Sequence, residues 1–155
     1  MKLIAFDQST TATGWCVMEM NTAEIVGYGI IRPQGTTNER IRITVKKCMA
    51  LCVKFETAFV FIEGIQIQRN PKVFEILAKL SGTLEICLEE KGYFVNIVSS
   101  AEWRKRVGIK NKKRELVKQE ALDMVKGLYR LEVSEDEAEA VLFARAFCAT
   151  KETKQ

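Results

Sequence analysis

Four carboxylates stand where carboxylates can do chemistry. Asp7 ends the apolar run Leu3-Ile-Ala-Phe6, and Glu63 ends a second run, Ala58-Phe-Val-Phe-Ile62. Asp136 and Glu139 are three apart at the start of a late amphipathic segment, so a helix projects them from one face. Oxygen ligands of this kind suit Mg2+, which retains waters and is held by a few carboxylates plus substrate phosphate. Two such ions about 3.5–4 Å apart activate a water and stabilise the leaving oxygen of an in-line phosphoryl displacement. The chain has no histidine. That removes the commonest general base and the commonest zinc ligand, and leaves carboxylates, lysines or a bound hard metal to carry any hydrolysis. Mn2+ accepts the same oxygens.

The charge pattern names a class of partner. Of a net charge of +4, residues 99–119 carry +6 and the rest of the chain −2. The block comprises Arg104, Lys105, Arg106, Lys110, Lys112, Lys113, Arg114 and Lys118 against Glu102 and Glu115. A basic block on a slightly acidic body points to a polyanion, and a phosphodiester backbone fits both it and the carboxylates. Gln66 and Arg69, in the polar loop after Glu63, are further candidate contacts.

The elements that must position these groups follow from periodicity. Residues 3–6 read as a buried strand; 14–20 and 24–31 continue it as an antiparallel meander. Asn38 is the expected N-cap of a helix reaching about Val53, with Ile41, Val45, Cys48, Met49 and Cys52 at helical spacing. Residues 58–62 form another buried strand. Pro71 opens a helix with the stripe Val73, Leu77, Leu80, Leu84 and Leu88, and Gly92 ends it. Residues 93–98 are a fifth strand, and Ser99-Ser100 cap a short helix bearing Trp103, an expected core or hinge aromatic. Residues 115–128 form a helix with Leu116, Ala121, Leu122 and Val125 inward. Ser134 and Glu137 make the capping box of the last helix. Its acids also suit the helix dipole.

At 155 residues the expectation is one α/β domain over 1–150 with a frayed tail, 151–155. Five cysteines without CxxC spacing read as reduced thiols. With no apolar run of membrane length and no signal peptide, the expected location is the cytoplasm of a bacterial host.

The order of these pieces resembles the ribonuclease H-like nucleases, and within them the RuvC family of Holliday junction resolvases. The matching motifs are Ile4-Ala-Phe-Asp7-Gln-Ser-x5-Gly14-Trp, Val60-Phe-Ile-Glu63 and Asp136-Glu-Ala-Glu139-Ala, and the resemblance spans nearly the whole chain. It implies a ribonuclease H-like fold: a five-stranded mixed sheet, meander plus parallel strands, flanked by helices. It implies a homodimer in which Asp7, Glu63, Asp136 and Glu139 are the catalytic metal ligands, with two Mg2+ per site. The products would be symmetric nicks with 5′-phosphate ends. The family's basic residues near the active site correspond best to Arg104 and Lys113, with Lys105 and Lys112 as alternatives.

The chain departs from the family in three places. Gln8-Ser9 replaces the usual Pro-Gly, Glu139 stands where Asp is common, and Gln66 takes the place of an aromatic wedge. These departures predict relaxed sequence specificity, extending to forks and other branched DNA. The compact length resembles a phage-encoded member, and dependence on a host branch-migration motor stays open.

Two other readings compete. The stretch Asp7-Gln-Ser-Thr-Thr-Ala-Thr-Gly14 resembles the phosphate loop of actin-like ATPases and sugar kinases, but one domain is too short for their two-domain closure. A non-catalytic binder of branched DNA explains the basic block. It does not explain carboxylates grouped beside a phosphate track, which they would repel without a metal. The blandest reading makes Asp7 a turn residue, Asp136 a cap and the basic block a solvated face.

Overall fold

The computed structural model describes residues 1–149; the tail at 151–155 lies outside the described residues. The strands are β1 (Lys2–Asp7), β2 (Thr13–Glu19), β3 (Ile25–Ile31), β4 (Phe59–Glu63) and β5 (Phe94–Val98). They form one sheet in the order β3-β2-β1-β4-β5. The first three strands pair antiparallel, and β4 and β5 add parallel to β1. This is the expected mixed sheet with β1 at its centre. All four internal residues of β1 are fully buried, as a strand covered on both faces requires.

The period of two splits the strand residues between two cores. Ile4, Phe6, Val17, Val60 and Ile62 pack beneath α1 (Thr37–Phe55) and α2 (Pro71–Glu90). Leu3, Ala5, Cys16, Met18 and Phe61 face α3 (Ser100–Val107), α4 (Arg114–Tyr129) and α5 (Glu135–Arg145). Helix α5 lies directly over the sheet with α4 outside it, so Ala138, Ala140, Val141, Leu142, Phe143 and Ala144 are all buried. Its alanines keep the helix close to the strands.

Three local expectations shift. The N-cap of α1 is Thr36, not Asn38: Thr36 and Glu39 form a capping box, and Asn38 instead accepts a hydrogen bond from Lys79 on α2 at 2.8 Å. The inward face of α4 is Val117, Ala121 and Val125, an i, i+4, i+8 stripe. Leu116, one residue round the helix, is half exposed. On α2, Leu80, Leu84 and Leu88 are fully buried, worth about 1.5–3 kcal/mol each. Val73 is exposed and Leu77 is only half-buried, because the first turns of α2 reach past the core to the wall of a cleft.

All five cysteines are free. Burial pushes the Cys52 and Cys148 thiols up to about 11, so they stay neutral.

Candidate active site

Strand geometry sets the first two carboxylates side by side. In the parallel β1–β4 pair Phe6 lies opposite Ile62, so Asp7 and Glu63 come next at the same sheet edge. Leu3 and Ala5, and likewise Phe61, belong to the core under α5. Alternation therefore puts Asp7 and Glu63 on the α5 side.

Helix α5 brings the other two. Ser134 accepts from the Glu137 backbone N–H at 3.3 Å, and the Ser134 N–H donates to Glu137 at 2.9 Å, fixing where the helix starts. Gly14, paired with Asp7 across β1 and β2, lies beneath that first turn. A Cβ there would stand 2.6 Å from the Asp136 carbonyl oxygen and 3.2 Å from the Ala140 Cβ. Glycine is what allows α5 to come down onto β2 and deliver Asp136 and Glu139 to the edge.

The result is a cleft of about 630 Å³ lined by Asp7, Glu63, Asp136 and Glu139 together with Arg104, Lys112, Arg114, Lys118, Gln8 and Gln66. Burial, and after it the neighbouring Glu63 carboxylate, raise the pKa of Asp7 well above the usual range; Glu139 and Asp136 add to this. Glu139 is raised by burial and by Glu63, against the opposing pull of Arg104 and Lys118. Gathering carboxylates in this way disfavours the ionised forms of Asp7 and Glu139.

The donor set is all oxygen and suits a hard divalent cation. Among the described residues no three His, Cys, Asp or Glu close into a ready-made metal cage. Such a cation keeps several waters and takes substrate phosphate as a ligand. Two buried polar atoms at the site, Gln8 Oε1 and Arg104 Nε, have no partner within the protein.

The basic block divides. Arg104, Lys112, Arg114 and Lys118 line the cleft; Lys105, Arg106, Lys110 and Lys113 do not, and neither does Arg69. Arg104 donates to Glu139 at 3.4 Å. Lys118 donates to Glu135 at 2.6 Å, a bond that raises its pKa. Arg106 is turned away, paired with Glu102 at 3.0 Å and over the Phe147 ring. Lys113 is the backbone N-cap of α4.

In the loop after Glu63, Gln66 donates to Ser100 Oγ at 2.6 Å, while Ile67 is 92% exposed. Sequence reasoning passed over Ile67, although an isoleucine in a polar loop was a usable signal.

It also missed two bonds to Glu63. Trp103 Nε1 donates to Glu63 Oε1 at 3.1 Å, and Gln8 Nε2 donates to the Glu63 carbonyl at 3.0 Å. Partners 40 and 55 residues apart leave no mark in a local pattern. The Ser/Thr turn is knit by its own hydroxyls, Thr13 donating to the Ser9 carbonyl at 2.9 Å and accepting from the Ser9 N–H at 3.2 Å. Those bonds are turn chemistry, and the phosphate-loop reading draws nothing from them.

Comparison with known proteins agrees with this architecture. The family model described as crossover junction endodeoxyribonuclease RuvC matches residues 3–148. Among solved structures, RuvC of Thermus thermophilus in complex with a Holliday junction substrate superposes with a TM-score of 0.77 at 17% identity, covering 94% of this chain and 91% of that one. The yeast mitochondrial Holliday junction resolvase gives 0.63 at 15% identity, covering 94% and 76%. The Fowlpox virus resolvase, solved with Holliday junction DNA, gives 0.61 at 8% identity, covering 95% and 96%. At such identities the likeness shows the fold. No curated protein sequence matches the chain.

Proposed function

The chain belongs to the RuvC family of crossover junction endodeoxyribonucleases, and from that premise we propose that Asp7, Glu63, Asp136 and Glu139 are the catalytic carboxylates of its active site. The protein is a metal-dependent nuclease that binds branched DNA and resolves Holliday junctions. The observation that carries the site assignment is the convergence of four carboxylates, from β1, β4 and α5, in one cleft with four basic side chains.

Bound there, two Mg2+ (or Mn2+) would polarise the attacking water and stabilise the leaving oxygen. The chain's own residues do the rest. Asp7, Glu63, Asp136 and Glu139 would hold the ions, whose charge would offset the burial and mutual repulsion that disfavour ionised Asp7 and Glu139. Arg104, Lys112, Arg114 and Lys118 neutralise the phosphates on either side of the scissile bond. Water oxygen bonds to phosphorus as the bond to the 3′ oxygen breaks, leaving a 3′-hydroxyl and a 5′-phosphate.

Symmetric nicking needs two such sites related by a two-fold axis, so the active form is a homodimer. The exposed apolar residues of α2, Val73, Phe74 and Ile86, are its candidate interface. Specificity is relaxed and extends to forks, since Gln66 stands where the family carries an aromatic wedge. Residues 1–150 act as one nuclease domain. No helix among the described residues is long and apolar enough to cross a membrane, consistent with work in the cytoplasm of a bacterial host on phage or host junctions.

The test is cleavage of a synthetic four-way junction against linear duplex, with and without Mg2+, wild type beside Asp7→Asn. Metal-dependent paired nicks near the crossover that vanish in the variant are expected. Cutting that survives the substitution would overturn the site. A panel of junction cores showing one strongly preferred sequence would overturn the relaxed specificity.

A further inference from the structure

Helix α3 touches the site through consecutive turns, and none of those contacts is explained by packing alone. Ser99 caps it directly after β5, accepting from the Glu102 N–H at 3.2 Å. From there Ser100 Oγ accepts from Gln66, Trp103 Nε1 donates to Glu63 at 3.1 Å, and Arg104 donates to Glu139 at 3.4 Å. Adjacent residues of one helix thus hold carboxylates that come from two other elements, β4 and α5. Trp103 is 1% exposed. Its ring packs beside Phe143 of α5, centroids 5.8 Å apart, and the Arg104 guanidinium stands 5.4 Å from the same ring.

A buried indole N–H needs an acceptor, and this one takes Glu63 Oε1, spending one oxygen and leaving Oε2 unclaimed by Trp103. A single donor on a rigid, buried ring orients the carboxylate more tightly than a mobile lysine or a water would. We propose that Trp103 is a positioning residue that presets Glu63 for the divalent cation, with Arg104 doing the same for Glu139, so that α3 acts as a clamp on the carboxylate set before DNA arrives. The inference rests on the site assignment above. Arg104 thereby takes a second task besides phosphate contact, and Trp103 becomes more than a core aromatic.

Trp103→Phe separates the two roles, because the ring stays and only the N–H is lost. Partners of this kind are typically worth about 10–100-fold in metal affinity or activity. The expected result is a folded protein that binds four-way junctions in chelator within about twofold of wild type, yet needs on the order of tenfold more Mg2+ for half-maximal cleavage. A merely structural tryptophan would lower the melting temperature and leave the Mg2+ midpoint in place; that outcome overturns the clamp.

A second readout needs neither cleavage nor a stable Trp103 variant. The chain has two tryptophans, Trp15 and Trp103. In Trp15→Phe, Trp103 is the sole tryptophan, and Mg2+ titration without DNA should shift its fluorescence, excited selectively over tyrosine, in a way that Glu63→Gln abolishes. A flat titration counts against the clamp. Asp7→Asn in the same cleavage series keeps the two claims apart. If that variant still cuts, the site assignment fails. If it is dead while Trp103→Phe matches wild type in rate and Mg2+ midpoint, only the clamp fails.

Discussion

Helices α1 and α5 start with the same device and end with different fates. Each opens on a hydroxyl residue and a glutamate three positions on, Thr36 with Glu39 and Ser134 with Glu137, and each pair forms both bonds of a capping box. Helix α1 then lies on the outside of the sheet face formed by Ile4 and Phe6. One side of it is buried by Ile41, Val45, Cys48 and Cys52, and Arg42, Lys46, Lys47 and Lys54 are left in solvent. Helix α5 is sandwiched between sheet and α4 on the opposite face, and its first turn is pressed onto Gly14. Asp136 of that turn, with Glu139 one turn on, is held at the cleft, whereas Glu39 stands in solvent. A cap decides where a helix begins. Burial on the far side decides whether its first turn becomes a site.

Removing charge at each end is the harshest test of that contrast. Asp7→Asn, under the α5 end, should cost several kcal/mol of transition-state stabilisation, on the order of 10³-fold or more in junction cleavage. Glu39→Gln should leave the rate within about twofold, since Glu39 lies outside the cleft and a glutamine can still serve the capping box. Single-turnover cleavage of a labelled junction reads both.

Gly14→Ala attacks the seating of α5. The added Cβ meets the Asp136 carbonyl, and overpacking of this kind costs about 1–3 kcal/mol. Urea unfolding should show that loss. The cleavage rate, measured well below the unfolding midpoint, should fall further than the population of folded protein explains. A variant destabilised but fully active would mean that Asp136 does not need its present seat.

The caps themselves offer a matched pair. Thr36→Ala and Ser134→Ala should each lower stability by about 1 kcal/mol. Only Ser134→Ala should also slow cleavage, because Asp136 sits two residues into the helix it starts. Equal rates in the two variants would break the contrast drawn here.

The smallest effect is one of pH. Asp7 and Glu139 bind protons more tightly folded than unfolded, because burial and neighbouring carboxylates oppose their ionisation. Keeping them ionised at neutral pH therefore costs stability, and lowering the pH into their folded titration range relieves that cost. In chelator, Asp7→Asn should be more stable than wild type at neutral pH, with the gap closing as the pH falls and closing again when Mg2+ is added. Thermal melts across pH, with and without Mg2+, check the sign; a gap that widens on acidification contradicts it.

Much of this was legible in one dimension. Asp7 and Glu63 were visible as acids ending apolar runs, Ser134 and Glu137 as a cap, and Asp136 and Glu139 as neighbours on a helix face, because each depends on spacings that the backbone itself imposes. The alternation of β1 and β4 also carries both acids to one face, for the same local reason.

What the linear pattern could not contain was rotation and lateral placement. Whether Leu116 or Val117 turns inward depends on how α4 sits on α5. Whether Lys112 or Lys113 reaches the cleft depends on where the backbone turns into α4. The Trp103–Glu63 bond and the contact of Gly14 with Asp136 join residues 40 and more than a hundred positions apart. Period and capping are local consequences of covalent geometry, so the sequence by itself determined the elements and the acids they carry. The order of strands and the close seating of α5 come from burying two apolar faces at once, so only the tertiary structure decided which charges share a cleft.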